Sequence, residues 1–308
     1  MGGTKVEGLL VDVERDDPIL DRQRVETPAM DAEAVAGTIV GVARDLMAGR
    51  SDVVALGVGA AGMVSVQGVM RFAPNVAWRE FPLRDRVEQG VGLPTIVDND
   101  ANVAAWGEFR FGAGRGTTDM LMVTVGTGIG GGIVSGGRLF RGAHGFGAEI
   151  GHVVVDPSGP ECGCGNRGCW EQVAAGRAID RLGRMAAAEH PESPLGRLMS
   201  ARPEGLVGPA VTAAAGAGDT VAIRVLAEVG RRLGEGIAGL VNVLDPDAVV
   251  VGGGAVEAGD LLLEPARRAF AEAVEGPSHR PEVPILPATL GNDAGAVGAA
   301  DLALREAS

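Results

Sequence analysis

The chain has 308 residues, about two domains' worth, with 46% hydrophobic and 22% charged residues, which excludes a disordered polymer. Its 40 acidic residues outnumber 27 basic ones and leave a net charge of −13, which disfavours nucleic acid or an anionic membrane as partner. No run of about 18 apolar residues offers a membrane span, and no basic, apolar leader is evident, so a cytoplasmic protein is expected.

In chain order, Gly2-Gly3-Thr4 reads as a turn and Val6 to Val13 as the strand leaving it, together a hairpin. Val35, Ile39, Val42 and Leu46 fall on one helical face over Ala32 to Met47, with Asp31 placed to cap it. Val53 to Val58 and Thr95 to Val97 read as buried strands, Asp100 to Phe109 as a helix, and 110–118 as a glycine-rich hinge. Met120 to Val125 is a strong strand closed by Gly126-Thr127-Gly128, with Gly130 to Val134 returning. Helices follow at Glu171 to Glu189, Val211 to Gly216 and Thr220 to Leu244, then a strand at Ala248 to Val251 and a closing helix at Asp293 to Arg305. The strand, glycine–threonine turn and returning strand occur in both halves. This suggests a duplicated α/β fold with a cleft.

Five groups of residues carry potential chemistry. Glycines at a turn leave N–H groups open to phosphate oxygens, and in Gly2-Gly3-Thr4-Lys5 a hydroxyl and the only lysine of the chain adjoin them; a plain hairpin turn fits equally well. Gly126 to Gly132 is a second such turn, without the Gly-Lys-Ser/Thr of a P-loop, and its bland reading is a flexible loop. Gly252-Gly253-Gly254 after a buried strand could receive a flat base. Asn99-Asp100 stands between a strand and a helix, where Asp100 could act as general base and Asn99 hold a sugar; helix capping is the simpler use of both.

The fifth group is the sharpest. His152 precedes Cys162, Cys164 and Cys169, all the cysteines of the chain, in a glycine-rich loop. Three thiols and one imidazole are a structural zinc set, the alternative being unliganded thiols. Glu149 and Glu171 flank the loop as acceptors suited to sugar hydroxyls, unless they are simply solvated acids.

Together, Gly2 to Lys5, NDANVAAWGE (Asn99 to Glu108), Val125 to Gly132, EIGH (Glu149 to His152) and CGCGNRGCWE (Cys162 to Glu171) resemble the ROK family of bacterial sugar kinases. RFAPNVAWR (Arg71 to Arg79) and FRFGAG resemble its glucokinase branch. The resemblance implies an actin-like ATPase (ribonuclease H-like) fold with a small N-terminal α/β domain, 1–112, completed by the helix 293–308. A large α/β domain, 113–292, would carry the zinc-binding loop 152–171. It further implies transfer of phosphate from ATP, with Mg²⁺, to the 6-hydroxyl of glucose, in a homodimer or tetramer.

By the same resemblance Asp100 is the catalytic base, and Gly62, Asn75, Asn99, Glu149, His152 and Glu171 contact sugar. Gly3, Thr4, Lys5, Thr127 and Gly128 hold phosphates, and Gly253 and Gly254 the nucleotide. His152, Cys162, Cys164 and Cys169 hold Zn²⁺. The family's first turn reads Asp-x-Gly-Gly-Thr, and Met1 stands at x, so an upstream start is expected; a protein impaired by the missing Asp is the alternative. Another hexose or N-acylhexosamine as substrate, and polyphosphate as donor, stay open.

Overall fold

The computed structural model describes residues 5–15, 17–28, 30–73, 76–201 and 208–307. Gly2, Gly3, Thr4 and Asn75 lie outside the described residues. The chain divides into two compact units, one of residues 1–122, 132–148 and 288–308, the other of 123–131 and 149–287.

In the first unit, β1 (Lys5–Val11) pairs antiparallel with β2 (Ile19–Glu26), so the chain reverses through 12–18. α1 (Ala32–Leu46) is the amphipathic helix the spacing predicts, and the Asp31 carboxylate accepts from the N–H groups of Glu33 and Ala34. The next strand is β3 (Leu56–Ala60), starting three residues later than Val53; Val54 is exposed, so the apolar run overstates the strand. β4 (Met63–Val64), β5 (Met70–Phe72) and β6 (Arg79–Phe81) form a small antiparallel sheet, and α2 (Leu83–Val91) ends on Gly92 in a left-handed conformation. β7 (Thr95–Asn99) runs parallel to β3 and passes directly into α3 (Asp100–Phe111). Val6, Val35, Val58, Met70, Trp78, Leu83 and Val97 meet in one core beneath these elements.

β8 (Met120–Val125) and β9 (Ile129–Ser135) form a hairpin whose Gly126 end belongs to the second unit and whose other end to the first. With β10 (Arg138–Leu139), β11 (Ala248–Gly252) and β12 (Ile285–Pro287) they make a five-stranded sheet of order β10-β9-β8-β11-β12. β11 and β12 run parallel. The expected helix from Glu171 to Glu189 is two helices, α4 (Trp170–Ala174) and α5 (Gly176–Glu189), broken at Ala175, whose backbone is extended. The break turns the Gly176 and Arg177 N–H groups onto the carbonyls of Gly126 and Thr127, at 2.9 and 3.2 Å. The turn's carbonyls thus gain donors that a continuous helix would keep for itself.

α6 (Pro194–Ala201) and α7 (Gly208–Gly216) lead into the long α8 (Thr220–Leu244). α9 (Asp260–Ala273) packs closely on α8: a Cβ on Gly230 or Gly234 would lie 2.3 or 2.0 Å from the carbonyl of Leu262 or Ala266. Among the described residues no single helix is long and apolar enough to cross a membrane.

α10 (Ala294–Ala307) returns to the first unit and lies against α3 and β3. A Cβ on Gly107 would fall 2.2 Å from the Ala294 carbonyl, and one on Gly298 only 1.9 Å from the Val103 carbonyl. Asp301, buried on α10, accepts from Trp106 Nε1 at 2.7 Å, Arg110 Nε at 3.3 Å and Arg305 Nε at 2.7 Å. Closely packed glycines and this buried polar clasp hold α3, and with it the position of Asp100.

Candidate active site and metal centre

The start of α3 separates three neighbouring polar residues into three uses. Asp98 is buried and committed: it accepts from Arg141 Nε at 2.5 Å, Asn102 Nδ2 at 2.9 Å and the Asn99 N–H at 2.7 Å. Asn99 caps the helix, its Oδ1 accepting from the N–H groups of Ala101 and Asn102 while its Nδ2 donates to the Gly62 carbonyl at 3.1 Å. The capping reading therefore holds for Asn99, and the cap also ties it to Gly62, whose φ of +134° favours glycine.

Asp100 is left over. Its Oδ1 accepts from the Ala101 N–H at 3.0 Å, and no side chain pairs with it among the described residues. The carboxylate reaches solvent, yet surrounding protein limits its hydration and pushes its pKa above the ordinary carboxylate range; the Ala101 N–H opposes that shift. A solvent-accessible, unpaired carboxylate made more basic has the chemistry of a general base. Lys5 opens β1 and is exposed.

In the second unit the His152 imidazole and the thiols of Cys162, Cys164 and Cys169 place four donor atoms within 4.8 Å of one another. Cys162 Sγ lies 3.6 Å from His152 Nδ1, and Cys164 Sγ 3.6 Å from Cys169 Sγ. A tetrahedral ion with bonds of about 2.0–2.3 Å to nitrogen and sulfur needs donor separations of about 3.5–3.8 Å, so this cluster fits a structural metal. Burial pushes the Cys169 thiol up to about 12 and raises Cys162, while the Asn166 N–H lowers exposed Cys164. Buried thiols that resist ionisation alone give up their protons when an ion takes them as thiolates. Glycine builds the loop: a Cβ on Gly168 would lie 1.5 Å from the Asp156 carbonyl.

Glu171, at the start of α4, touches both the cluster and the glycine turn. Its Oε1 accepts from Cys162 Sγ at 3.1 Å and Gln172 Nε2 at 3.0 Å, and its Oε2 lies where a Cβ on Gly128 would come within 2.2 Å. Gly253, at φ +88°, closes on the end of β8, where a Cβ would meet the Val125 carbonyl at 2.5 Å. Thr127 and Gly254 are exposed beside these contacts, and Glu149 immediately precedes the 3₁₀ turn Ile150–His152. The second unit thus gathers Thr127, Gly128, Glu171, His152 and the three cysteines around connected segments. The first unit gathers Gly62, Asn99 and Asp100.

Sequence reasoning assigned no role to Glu108. Fully buried, it accepts from the N–H groups of Ala113, Thr289 and Leu290 at 2.9, 3.0 and 2.7 Å. A buried-face acid in this helix was the available signal; two of its three partners, Thr289 and Leu290, lie 181 and 182 residues away and leave no local pattern.

The family model described as "ROK family" matches residues 1–306. The chain belongs to the ROK family. It is 44% identical over 306 residues to a glucokinase of Streptomyces coelicolor, covering 98% of this chain and 95% of the relative. A ROK family glucokinase from Streptomyces griseus, solved in complex with glucose and AMPPNP, superposes with a TM-score of 0.86 at 45% identity, covering 99% and 97% of the two chains. A ROK hexokinase from Thermus thermophilus gives 0.79 at 35% identity, covering 99% and 96%. The fold of this ROK chain is the actin-like ATPase fold, in agreement with the resemblance read from its motifs.

Proposed function

We propose that this chain is an ATP-dependent glucokinase that transfers the γ-phosphoryl group of ATP to the 6-hydroxyl of glucose. The observation that carries the reading is the full-length likeness, in sequence and in fold, to a glucokinase that holds glucose and a nucleotide analogue. Asp100 supplies the local chemistry: with no side-chain partner among the described residues, accessible and raised in pKa, it takes the 6-hydroxyl proton as the oxygen attacks phosphorus.

Asn99, Glu149, His152 and Glu171 hold the remaining sugar hydroxyls, with Asn75 and the Gly62 backbone beside them. In His152 the nitrogen near Cys162 is Nδ1, which leaves Nε2 for the sugar. Thr127 and Gly128 with Gly3, Thr4 and Lys5 bind phosphate oxygens, and Gly253 and Gly254 leave room for the nucleotide. Mg²⁺ neutralises phosphate charge when bound, and Zn²⁺ held by His152, Cys162, Cys164 and Cys169 fixes the loop that ends in Glu171. A homodimer in the cytoplasm is the assembly and location we assign.

The test is sugar-dependent ADP release across glucose, mannose, N-acetylmannosamine and fructose, with ATP and polyphosphate compared as donors. Glucose with ATP is expected to give the highest kcat/KM. A higher value for another sugar or donor would reassign the substrate, and no turnover with any sugar would overturn the kinase reading.

A further inference from the structure

Opposite the Asp100 end of α3, a partly open cavity of about 490 Å³ lies within the first unit. The turn between β1 and β2 contributes Arg15 and Pro18, the last turn of α3 contributes Phe109, Arg110 and Phe111, and the following loop contributes Arg115. At about 1.5 Å per residue, the cavity wall at Phe109 stands roughly 14 Å along the helix from Asp100, so this is a separate place from the proposed catalytic residues.

Its charge is unusual for the chain. In a molecule of net charge −13, three arginines line this cavity against one acid, Glu14. Arg110 is tied to buried Asp301 at 3.3 Å, but Arg15 and Arg115 are exposed and make no ion pair among the described residues. Two cations with no ion pair among the described residues, beside a third, favour an anionic ligand. The remaining wall is apolar and aromatic, from Phe109, Phe111 and Leu290. Arginines lining a cavity beside phenylalanine side chains match one ligand chemistry: a phosphate group on a planar, apolar body.

We infer that this cavity is a second ligand site, one that binds small organic phosphates carrying a planar body through Arg15, Arg115 and the rings of Phe109 and Phe111. The site stands independently of the catalytic reading, because none of its side chains belongs to the proposed machinery. A built-in reporter exists: the Trp106 ring lies 5.3 Å from that of Phe109.

Phenyl phosphate is the probe, titrated into the full chain by calorimetry and by tryptophan fluorescence, with saturating glucose and AMPPNP present to occupy the catalytic site. Expected are binding of phenyl phosphate at least about tenfold tighter than of inorganic phosphate or glucose 6-phosphate, and a fluorescence change that Trp106→Phe removes. Arg15→Gln combined with Arg115→Gln is expected to weaken it by about tenfold or more without moving the melting temperature. Should the double variant melt early, Arg115→Gln alone carries the same comparison. Unchanged affinity in the arginine variants, no preference over inorganic phosphate, or loss of binding when the catalytic site is filled would each overturn the inference.

Discussion

Alanine in place of Gly298 sets two effects of opposite sign against each other. Within a helix, alanine is favoured over glycine by about 1 kcal/mol, so propensity alone makes the variant more stable. Packing opposes it. The new methyl would lie 1.9 Å from the Val103 carbonyl and 2.6 Å from the Gly107 nitrogen, both backbone atoms of α3 that no rotamer change can move. Restoring ordinary contact requires α10 and α3 to separate by about 1.5 Å, and overpacking of this kind costs about 1–3 kcal/mol.

The separation also shifts the helix that begins at Asp100, and a misplacement of about 1 Å at a reacting group costs on the order of a hundredfold in rate. We expect Gly298→Ala to melt several degrees lower and to lose at least about tenfold in kcat, measured by thermal denaturation and by coupled detection of glucose 6-phosphate. A variant that melts higher and turns over normally would refute the claim that this close packing positions the proposed catalytic carboxylate.

Glu108→Ala strands the N–H groups of Ala113, Thr289 and Leu290 in the interior, and a loss of about 3 kcal/mol or more in denaturant unfolding is expected; a loss under about 1 kcal/mol would mean that water replaces the carboxylate. Because burial raises the Asp100 pKa, the unfolded chain releases that proton first as pH rises. The associated stability is therefore complete below the unfolded value of about 3.9 and is lost as pH climbs through the folded one. Asp100→Asn should accordingly melt above the parent at neutral pH, with the gap closing in acid. Parent kcat/KM should rise with pH through the same folded value, and a flat profile there would count against base catalysis. Stripping metal with a strong chelator, or Cys169→Ser, should release zinc, lower the melting temperature and raise KM for glucose; metal-free protein with unaltered KM would separate the cluster from sugar binding.

Much of this was legible because the decisive signals are local. The thiols and imidazole lie within 18 positions of one another, and Asp31 and Asn99 sit where caps belong. The apolar spacing of α8 is long enough to set both its ends. What escaped depends on distant partners. β2 alternates exposed charges along one edge, and Ile19–Glu26 becomes a strand only because β1 pairs with it. The break at Ala175 is marked locally only by Gly176, one glycine among many; the turn at Gly126 and Thr127 draws the N–H groups that follow it. Pro265 inside α9 hid a helix whose first turns rest on the small residues of α8. Asp98 and Asp100 look equivalent in sequence, and the ion pair with Arg141, 43 residues beyond Asp98, helps to commit one of them to structure.

The central claim is that the free carboxylate at the head of α3 removes the sugar proton. Single-turnover phosphoryl transfer by Asp100→Asn, with glucose affinity measured separately by calorimetry, tests it most directly. The account predicts a rate lowered by about 10²–10⁴ with glucose still bound at near-parental affinity. Transfer within about tenfold of the parent at normal glucose affinity would contradict it.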